Sequence, residues 1–141
     1  MENGSDVVEL DVIDPDRTGS PRNDGTPGSG LYEVAIRLKQ TPSSIWAELF
    51  PNNWDHPQEY TLRHIPGIAR VSSGYIILDG TTVEEVRDLH KKTLQLAVAV
   101  TNRQVAEYRE QTRREQEMAA ERQQEHEARV RQGASEVDFN G

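Results

Sequence analysis

The feature that most constrains this chain is a run of 52 residues, 81–132, that contains neither glycine nor proline. Thr82 is followed three residues later by Glu85, a capping box that predicts the start of a helix. Apolar residues then recur at helical spacing as far as Tyr108. The run therefore predicts one long helix, and Gly133 is the first residue that interrupts it.

Apolar side chains are concentrated in the middle of the chain. The range 31–108 holds 34 apolar residues among 78, whereas the two ends together hold 14 among 63. Only the middle can bury enough apolar surface to form a core. The expected organisation is a disordered acidic arm and linker over 1–30, a small domain over 31–108, and a charged tail, helical or disordered, over 109–141.

Three segments of the middle region carry the alternating or β-branched residues typical of strands: 31–40, 68–72 and 75–79. Ser73 and Gly74 join the last two segments. This spacing predicts an antiparallel hairpin, with Gly74 at the turn position that requires a positive φ.

A short helix is predicted between the first two of these strands. Thr41 acts as its N-cap, Pro42 occupies its first position, and Pro51 ends it. Together with the long helix, these elements predict an α+β domain of βαββα order, with a three-stranded sheet, one short helix and one long helix.

The N-terminal residues 6–14 allow two interpretations. Val8, Leu10 and Val12 alternate with acidic residues, as in a strand that could extend a sheet edge, either its own or a partner's. Alternatively, this segment continues the glycine- and proline-rich linker 14–30 as a disordered acidic arm. We adopt the second interpretation in the predicted fold, which therefore has three strands.

Composition excludes several classes of protein. The net charge of −8 disfavours a general nucleic-acid binder, which usually presents a basic face. With no cysteine, the chain has no disulfide, thiolate nucleophile or cysteine-ligated metal. No stretch approaches the roughly 20 apolar residues that span a bilayer, and no secretory signal is visible, so a cytoplasmic protein without membrane contact is expected. No cofactor and no catalytic residue are predicted.

One cluster of residues could bind a metal ion or support hydrolysis. The sequence places four such side chains within ten residues: Asp55, His56, Glu59 and His64. Neutral imidazoles and carboxylates are suitable ligands for Zn²⁺ or a similar ion. Their spacing fits no established metal motif, so the alternative is a loop of ordinary polar residues.

A second set of residues could contact a phosphate backbone. These are the basic residues of the middle region: Arg63, Arg70, Arg87, Lys91 and Lys92. Acidic neighbours at 84, 85 and 88 offset much of their positive charge, so nucleic-acid binding is the less favoured hypothesis.

The length of the main helix favours a protein partner. From 83 to 108 the helix would be about 39 Å long, whereas strands of five to eight residues reach roughly 17–27 Å. The overhanging apolar stripe should therefore be covered by another chain or by the 51–67 loop. The residues expected to contact a partner are Leu94, Val98, Thr101, Val105 and Tyr108, with Trp54 from the loop.

The predicted function is therefore a non-enzymatic interaction protein or accessory subunit that forms a homodimer or docks on a larger partner. In strict heptads, the column that contains Tyr108 continues with Glu115 and Arg122. Because a coiled coil needs apolar residues in both columns, its seam is expected to end near Tyr108.

Overall fold

The structure is a computed structural model that describes residues 4–61 and 63–140. The described residues form two compact units, one up to Val105 and one from Ala106 onward. In chain order the elements are β1 (Leu10–Ile13), β2 (Tyr32–Leu38), α1 (Ser44–Asp55), β3 (Ala69–Ser72), β4 (Tyr75–Thr81), α2 (Val83–Glu85), a π-helical turn (Val86–His90) and α3 (Lys91–Glu136).

The sheet has the strand order β1-β2-β4-β3, and every neighbouring pair is antiparallel. The predicted α+β class with a long C-terminal helix is confirmed. The predicted number of strands is wrong, because the sheet has four strands rather than three. The additional strand is β1, which lies within the arm that we expected to be disordered.

The N-terminal segment is held in place by Asn102 of α3. The side-chain oxygen of Asn102 accepts from the Val8 N–H at 3.0 Å, and its amide nitrogen donates to the Val8 carbonyl at 3.0 Å. The same oxygen accepts from Trp46 Nε1 at 2.7 Å. Val8 itself is 1% exposed. These bonds and the buried valine offset the entropy cost of ordering the segment. The composition of the segment alone did not indicate that it would be ordered.

A β-bulge adapts β1 to its neighbour. Between Leu10 and Ile13 the strand uses one more residue than β2 does over the paired stretch. Further along the linker, the Gly19 N–H donates to the Glu33 carbonyl at 2.7 Å. Part of the predicted linker therefore also follows the edge of β2.

The core lies between one face of the sheet and the helices. Its buried side chains include Val34, Ile36, Leu38, Ile76 and Leu78 from the strands and Trp46, Phe50, Trp54, Leu94, Ala97, Val98 and Val105 from the helices. Between α1 and α3, Asn53 Nδ2 donates to Thr101 Oγ1 at 2.9 Å. The helix α1, which includes residues 51–55 of the expected loop, and the N-terminal segment thus cover the apolar residues of α3 up to Val105. Of the two covers expected for this part of the helix, the one within the chain is present.

The short helix differs from its prediction at both ends. Its N-cap is Ser43, whose Oγ accepts from the Trp46 N–H at 3.4 Å, two residues later than predicted. The helix also continues through Pro51 instead of ending there. A proline inside a helix removes one hydrogen bond, and the buried side chains of Asn53 and Trp54 anchor the following turn.

The predicted hairpin between β3 and β4 is confirmed by the pairing of Ser72 with Tyr75. The left-handed residue of its turn is Ser73, with φ 51°, rather than Gly74. A positive φ is instead found at Gly80, with φ 114°, where β4 forms a bulge against β2.

The predicted cap of the long helix is confirmed, because Thr82 Oγ1 accepts from the Glu85 N–H at 3.0 Å. The π-helical turn then interrupts the regular helix before α3 begins. His90, expected on the flank of the apolar stripe, ends this turn and lies in the interior with 1% exposure. None of the helices in the described residues has a stretch long and apolar enough to cross a membrane.

Candidate functional site

The structure places the four metal-ligand candidates in different surroundings. Asp55 Oδ1 accepts from the Gly67 N–H at 2.7 Å and so serves as a link between α1 and the following segment. His56 is exposed, and its Nδ1 lies 3.1 Å from the Asn52 carbonyl oxygen.

The other two candidates also have structural contacts. Glu59 forms an exposed ion pair with Lys92 at 2.9 Å. His64 packs its ring against Trp54, with the centroids 4.8 Å apart. Over 4–61 and 63–140, no group of three or more histidine, aspartate or glutamate side chains is placed to hold a metal ion.

The basic candidates are mostly paired with carboxylates. The pairs and their N···O distances are Arg63–Glu85 at 3.4 Å, Arg70–Glu33 at 3.1 Å, Arg87–Asp88 at 2.7 Å and Lys92–Glu59 at 2.9 Å. Lys91 has no ion pair within the described part of the chain. Because neighbouring opposite charges reduce the field at a distance, these residues form no continuous basic surface.

Five of the six residues expected to contact a partner lie inside the protein. Their exposed fractions are 2% for Leu94, 6% for Val98, and 0% for Thr101, Val105 and Trp54. Tyr108 is the exception, with 49% exposure. Of these six residues, only Tyr108 has a side chain exposed enough to contact another molecule.

Two histidines pack against Trp54, an arrangement that the sequence did not indicate. The Trp54 ring centroid lies 4.8 Å from that of His64 and 5.4 Å from that of His90. Tyr60 packs against His64, with their ring centroids 5.4 Å apart. Trp54 Nε1 donates to the Ile65 carbonyl at 3.0 Å. His64 and Ile65, in the segment that follows α1, therefore contact Trp54.

Several buried polar atoms have no hydrogen-bond partner. Both ring nitrogens of His90, and the hydroxyls of Thr61 and Thr81, are buried and have no hydrogen-bond partner among the described residues. Most buried polar atoms in proteins are hydrogen-bonded, and leaving one unpaired costs free energy. Each such atom in this structure is therefore a local cost to the stability of the fold.

Burial also determines the charge of these two histidines. It lowers the pKa of His64, against smaller opposing effects of Asp55 and of a hydrogen bond with the Trp54 backbone. Burial likewise lowers the pKa of His90, which Glu85 opposes and the neighbouring His64 lowers further. Both rings are therefore neutral at pH 7, since their pKa values lie below the ordinary 6.5.

The sheet face opposite the core is covered by polar side chains. The guanidinium of Arg17 lies 4.7 Å from the Tyr75 ring centroid, and Tyr75 Oη donates to Asp14 Oδ2 at 3.0 Å. The hydrogen bond from Tyr75 lowers the pKa of the Asp14 carboxyl. On the same face of the sheet, Ala35 and Ile77 are paired across β2 and β4 and are 0% and 8% exposed. This face is thus already closed by the chain's own residues.

The second unit carries an uncharged stripe along α3. Between 108 and 134, 12 of 27 residues are charged aspartate, glutamate, lysine or arginine. None of these lies at the following positions, which are spaced by three or four residues: Tyr108, Thr112, Gln116, Ala119, Gln123, His126, Val130 and Ala134. We call this set the uncharged stripe. Its mean spacing of about 3.7 residues is close to the helical 3.6, so the positions share one face.

The charged residues on the rest of this helix pair with one another. Arg113 bonds to Glu110 and Glu117, and Arg114 bonds to Glu110 at 3.1 Å. The hydrogen bond from Arg113 lowers the pKa of Glu110. Such pairs at helical spacing stabilise a solvated helix without a partner, and they leave the uncharged stripe unoccupied.

Two features are therefore not explained by packing of the core: the histidines around Trp54 and the uncharged stripe. A search with a strict seven-residue repeat does not detect the uncharged stripe. From Tyr108 such a repeat leads to the charged residues Glu115 and Arg122, whereas steps of four residues from Thr112 and Ala119 lead to Gln116 and Gln123. Comparisons of the chain with protein-family models, with curated proteins and with solved structures found no match.

Proposed function

We propose that the protein is a non-enzymatic, cytoplasmic accessory subunit that forms a homodimer through the uncharged stripe of α3. The observation that carries this proposal is the absence of charge from eight successive stripe positions on a helix that is otherwise rich in charge. A helix that stays alone in water gains nothing from keeping one face free of charge, whereas a helix that pairs must remove charge from the contact.

The side chains of the stripe suit a close contact between two helices. Ala119 and Ala134 are small and permit a short distance between the helix axes. Tyr108 and Val130, which are 49% and 54% exposed, supply apolar area that a partner would cover. Because the mean spacing is close to that of an undistorted helix, the two helices would pair with little supercoiling.

The proposal also moves the interface away from the residues first expected to form it. The apolar residues of α3 up to Val105 are covered by α1 and the N-terminal segment, so they support the fold of the first unit. The contact with a second copy would begin at Tyr108 and continue along α3. The first unit would then be available for contacts with a larger assembly.

The test compares two double variants that add the same charge to different faces of one helix. Gln116→Glu with Gln123→Glu alters the uncharged stripe, and Gln111→Glu with Gln124→Glu alters the remaining surface. Light scattering of the full chain measures the mass at several concentrations. The wild type should have a mass of about 32 kDa, twice the 15.9 kDa of one chain.

The stripe variant should weaken the dimer about tenfold or more, as expected when like charges are placed in the contact. The control variant should retain the dimer, and circular dichroism should show equal helix content in both. A monomeric wild type at hundreds of micromolar would disprove the proposal. Equal weakening by both double variants would also contradict it, since net charge would then explain the effect.

A further inference from the structure

We propose that a groove in the first unit binds a linear carboxylate with an acyl chain. The groove lies between Leu10–Ile13 of β1 and the helical residues 86–95, and we call it the β1 groove. It encloses about 380 Å³, within the roughly 300–1,000 Å³ typical of small-molecule sites. Because its residues all precede Val105, this site is independent of dimer formation through the uncharged stripe, which begins at Tyr108.

The β-bulge of β1 places two aliphatic side chains in this groove. Leu10 pairs with Leu38 and Ile13 pairs with Ile36, so both side chains lie on the core face of the sheet. In a regular strand, residues three apart would point to opposite faces. The bulge therefore gives the groove an aliphatic wall from one short strand, and both side chains of that wall remain partly exposed.

The floor of the groove is also aliphatic and is fixed by the core. Ile36, Val86 and Leu94 line it, and they are 5%, 5% and 2% exposed. All three belong to the hydrophobic core, so a ligand can enter without rearranging the sheet. An acyl chain that leaves water to pack on this floor gains up to about fourfold in affinity for each buried methylene.

The groove continues along α3 beside the N-terminal segment. Leu10 and Gln95 also line a second section, of about 320 Å³, which extends to Val98 and Asn102. At the rise of an α-helix, the helical wall from 86 to 102 is about 24 Å long. A groove of this elongated shape suits an unbranched chain better than a compact ring system.

Two basic side chains lie at one end of the groove. Arg87 and Lys91 both line it, and their spacing of four residues places them on one face of the helix. Lys91 has no ion pair among the described residues, and the contact of Arg87 with Asp88 uses Nε and Nη2, which leaves Nη1 as a donor. On the opposite rim, Asp11 is paired with Arg37 at 3.2 Å. This end therefore offers N–H donors to a carboxylate, and charge complementarity identifies the head group.

NMR of the methyl-labelled full chain locates the ligand, with dodecanoate below its micelle concentration as the probe. The methyl resonances of Leu10, Ile13 and Leu94 should shift saturably, whereas those of Ile68 and Val71, which lie outside the groove, should not. Shifts centred elsewhere, or no saturable shift at millimolar dodecanoate, would overturn the proposal. Groove methyls that shift when only the protein concentration is raised would also overturn it, because a second copy would then occupy the groove.

Changes to the ligand test its chain and its head group separately. Affinity, measured by the same titration, should rise from octanoate to decanoate to dodecanoate by up to about fourfold for each methylene. Dodecanol has the same chain without the charge and should bind about five- to tenfold more weakly than dodecanoate. An affinity that is independent of chain length, or equal for the acid and the alcohol, would contradict the proposal.

Adjacent lysines provide matched variants, because both are exposed but only one lines the groove. Lys91→Gln should weaken dodecanoate binding about five- to tenfold, whereas Lys92→Gln should change it less than about twofold. Gln95→Trp places a bulky ring in the groove and should abolish binding, with unchanged circular dichroism. Equal weakening by the two lysine variants, or full binding by Gln95→Trp, would overturn the assignment. The dimer variant Gln116→Glu with Gln123→Glu should bind like the wild type, so this test does not depend on dimer formation.

Discussion

Replacing Asn102 with alanine should detach the N-terminal segment from the rest of the first unit. This side chain makes three bonds: two with the backbone of Val8 and one with Trp46 Nε1. Alanine keeps the helix intact because it has the highest helix propensity. The variant therefore isolates the contribution of the side-chain amide.

The expected loss of stability can be worked out from these contacts. The substitution leaves two backbone groups of Val8 and one indole N–H without their partner. An unpaired buried polar group costs about 1–3 kcal/mol, and these groups are partly buried, so the lower value applies to each. The sum of about 3 kcal/mol is a large part of the 5–15 kcal/mol typical of a whole domain.

Urea unfolding measures this loss, with Asn52→Ala as the control because Asn52 is exposed on α1. The Asn102 variant should unfold at lower urea, and its m-value should fall, since a released segment is already exposed before unfolding. Hydrogen exchange should show lost protection over 5–14. A change below about 1 kcal/mol, no larger than in the control, would refute the view that Asn102 holds the N-terminal segment.

Three further substitutions test local features. Ser73→Gly should stabilise the protein by about 1 kcal/mol, because it relieves a left-handed conformation at φ 51°, whereas Ser72→Gly should not; thermal unfolding of both decides this. Gly80→Ala should destabilise it by about 1–2 kcal/mol, because φ 114° is unfavourable for alanine, and an unchanged melting temperature would contradict this. Tyr75→Phe should raise the pKa of Asp14 toward 3.8, measured by NMR titration; an unchanged value would refute the role of the hydroxyl. Because the pKa of Asp14 is lowered in the folded state, the stability that this variant loses should be present at neutral pH and disappear as the pH falls below 3.8.

Local signals predicted the elements that depend on local chemistry. The alternation in β2, the hairpin after β3 and the Thr82 cap each involve residues close together in sequence, so periodicity and turn chemistry were sufficient. The uncharged stripe of α3 could also have been found from the sequence, but a search with a fixed seven-residue repeat does not detect it.

Long-range contacts account for the errors. The strand β1 forms because Val8 meets a residue 94 positions away, which no local pattern in an acidic segment can indicate. Pro51 remains inside α1 because the next turn is anchored by Asn53 and its bond to α3. His90 lies in the interior at the end of a π-helical turn, a local change of helical geometry that the regular spacing of apolar residues did not reveal.

The bond between Val8 and Asn102 also has a consequence for the order in which the chain can fold during synthesis. The N-terminal segment leaves the ribosome before α3, and its anchor, 94 residues later, follows after about 5–19 s at ordinary rates of translation. During that interval the outer edge of β2 can pair with any other extended chain. Docking of the N-terminal segment therefore completes the sheet last, and α3 must be synthesised at least through Asn102 before the nascent protein is protected against misassembly.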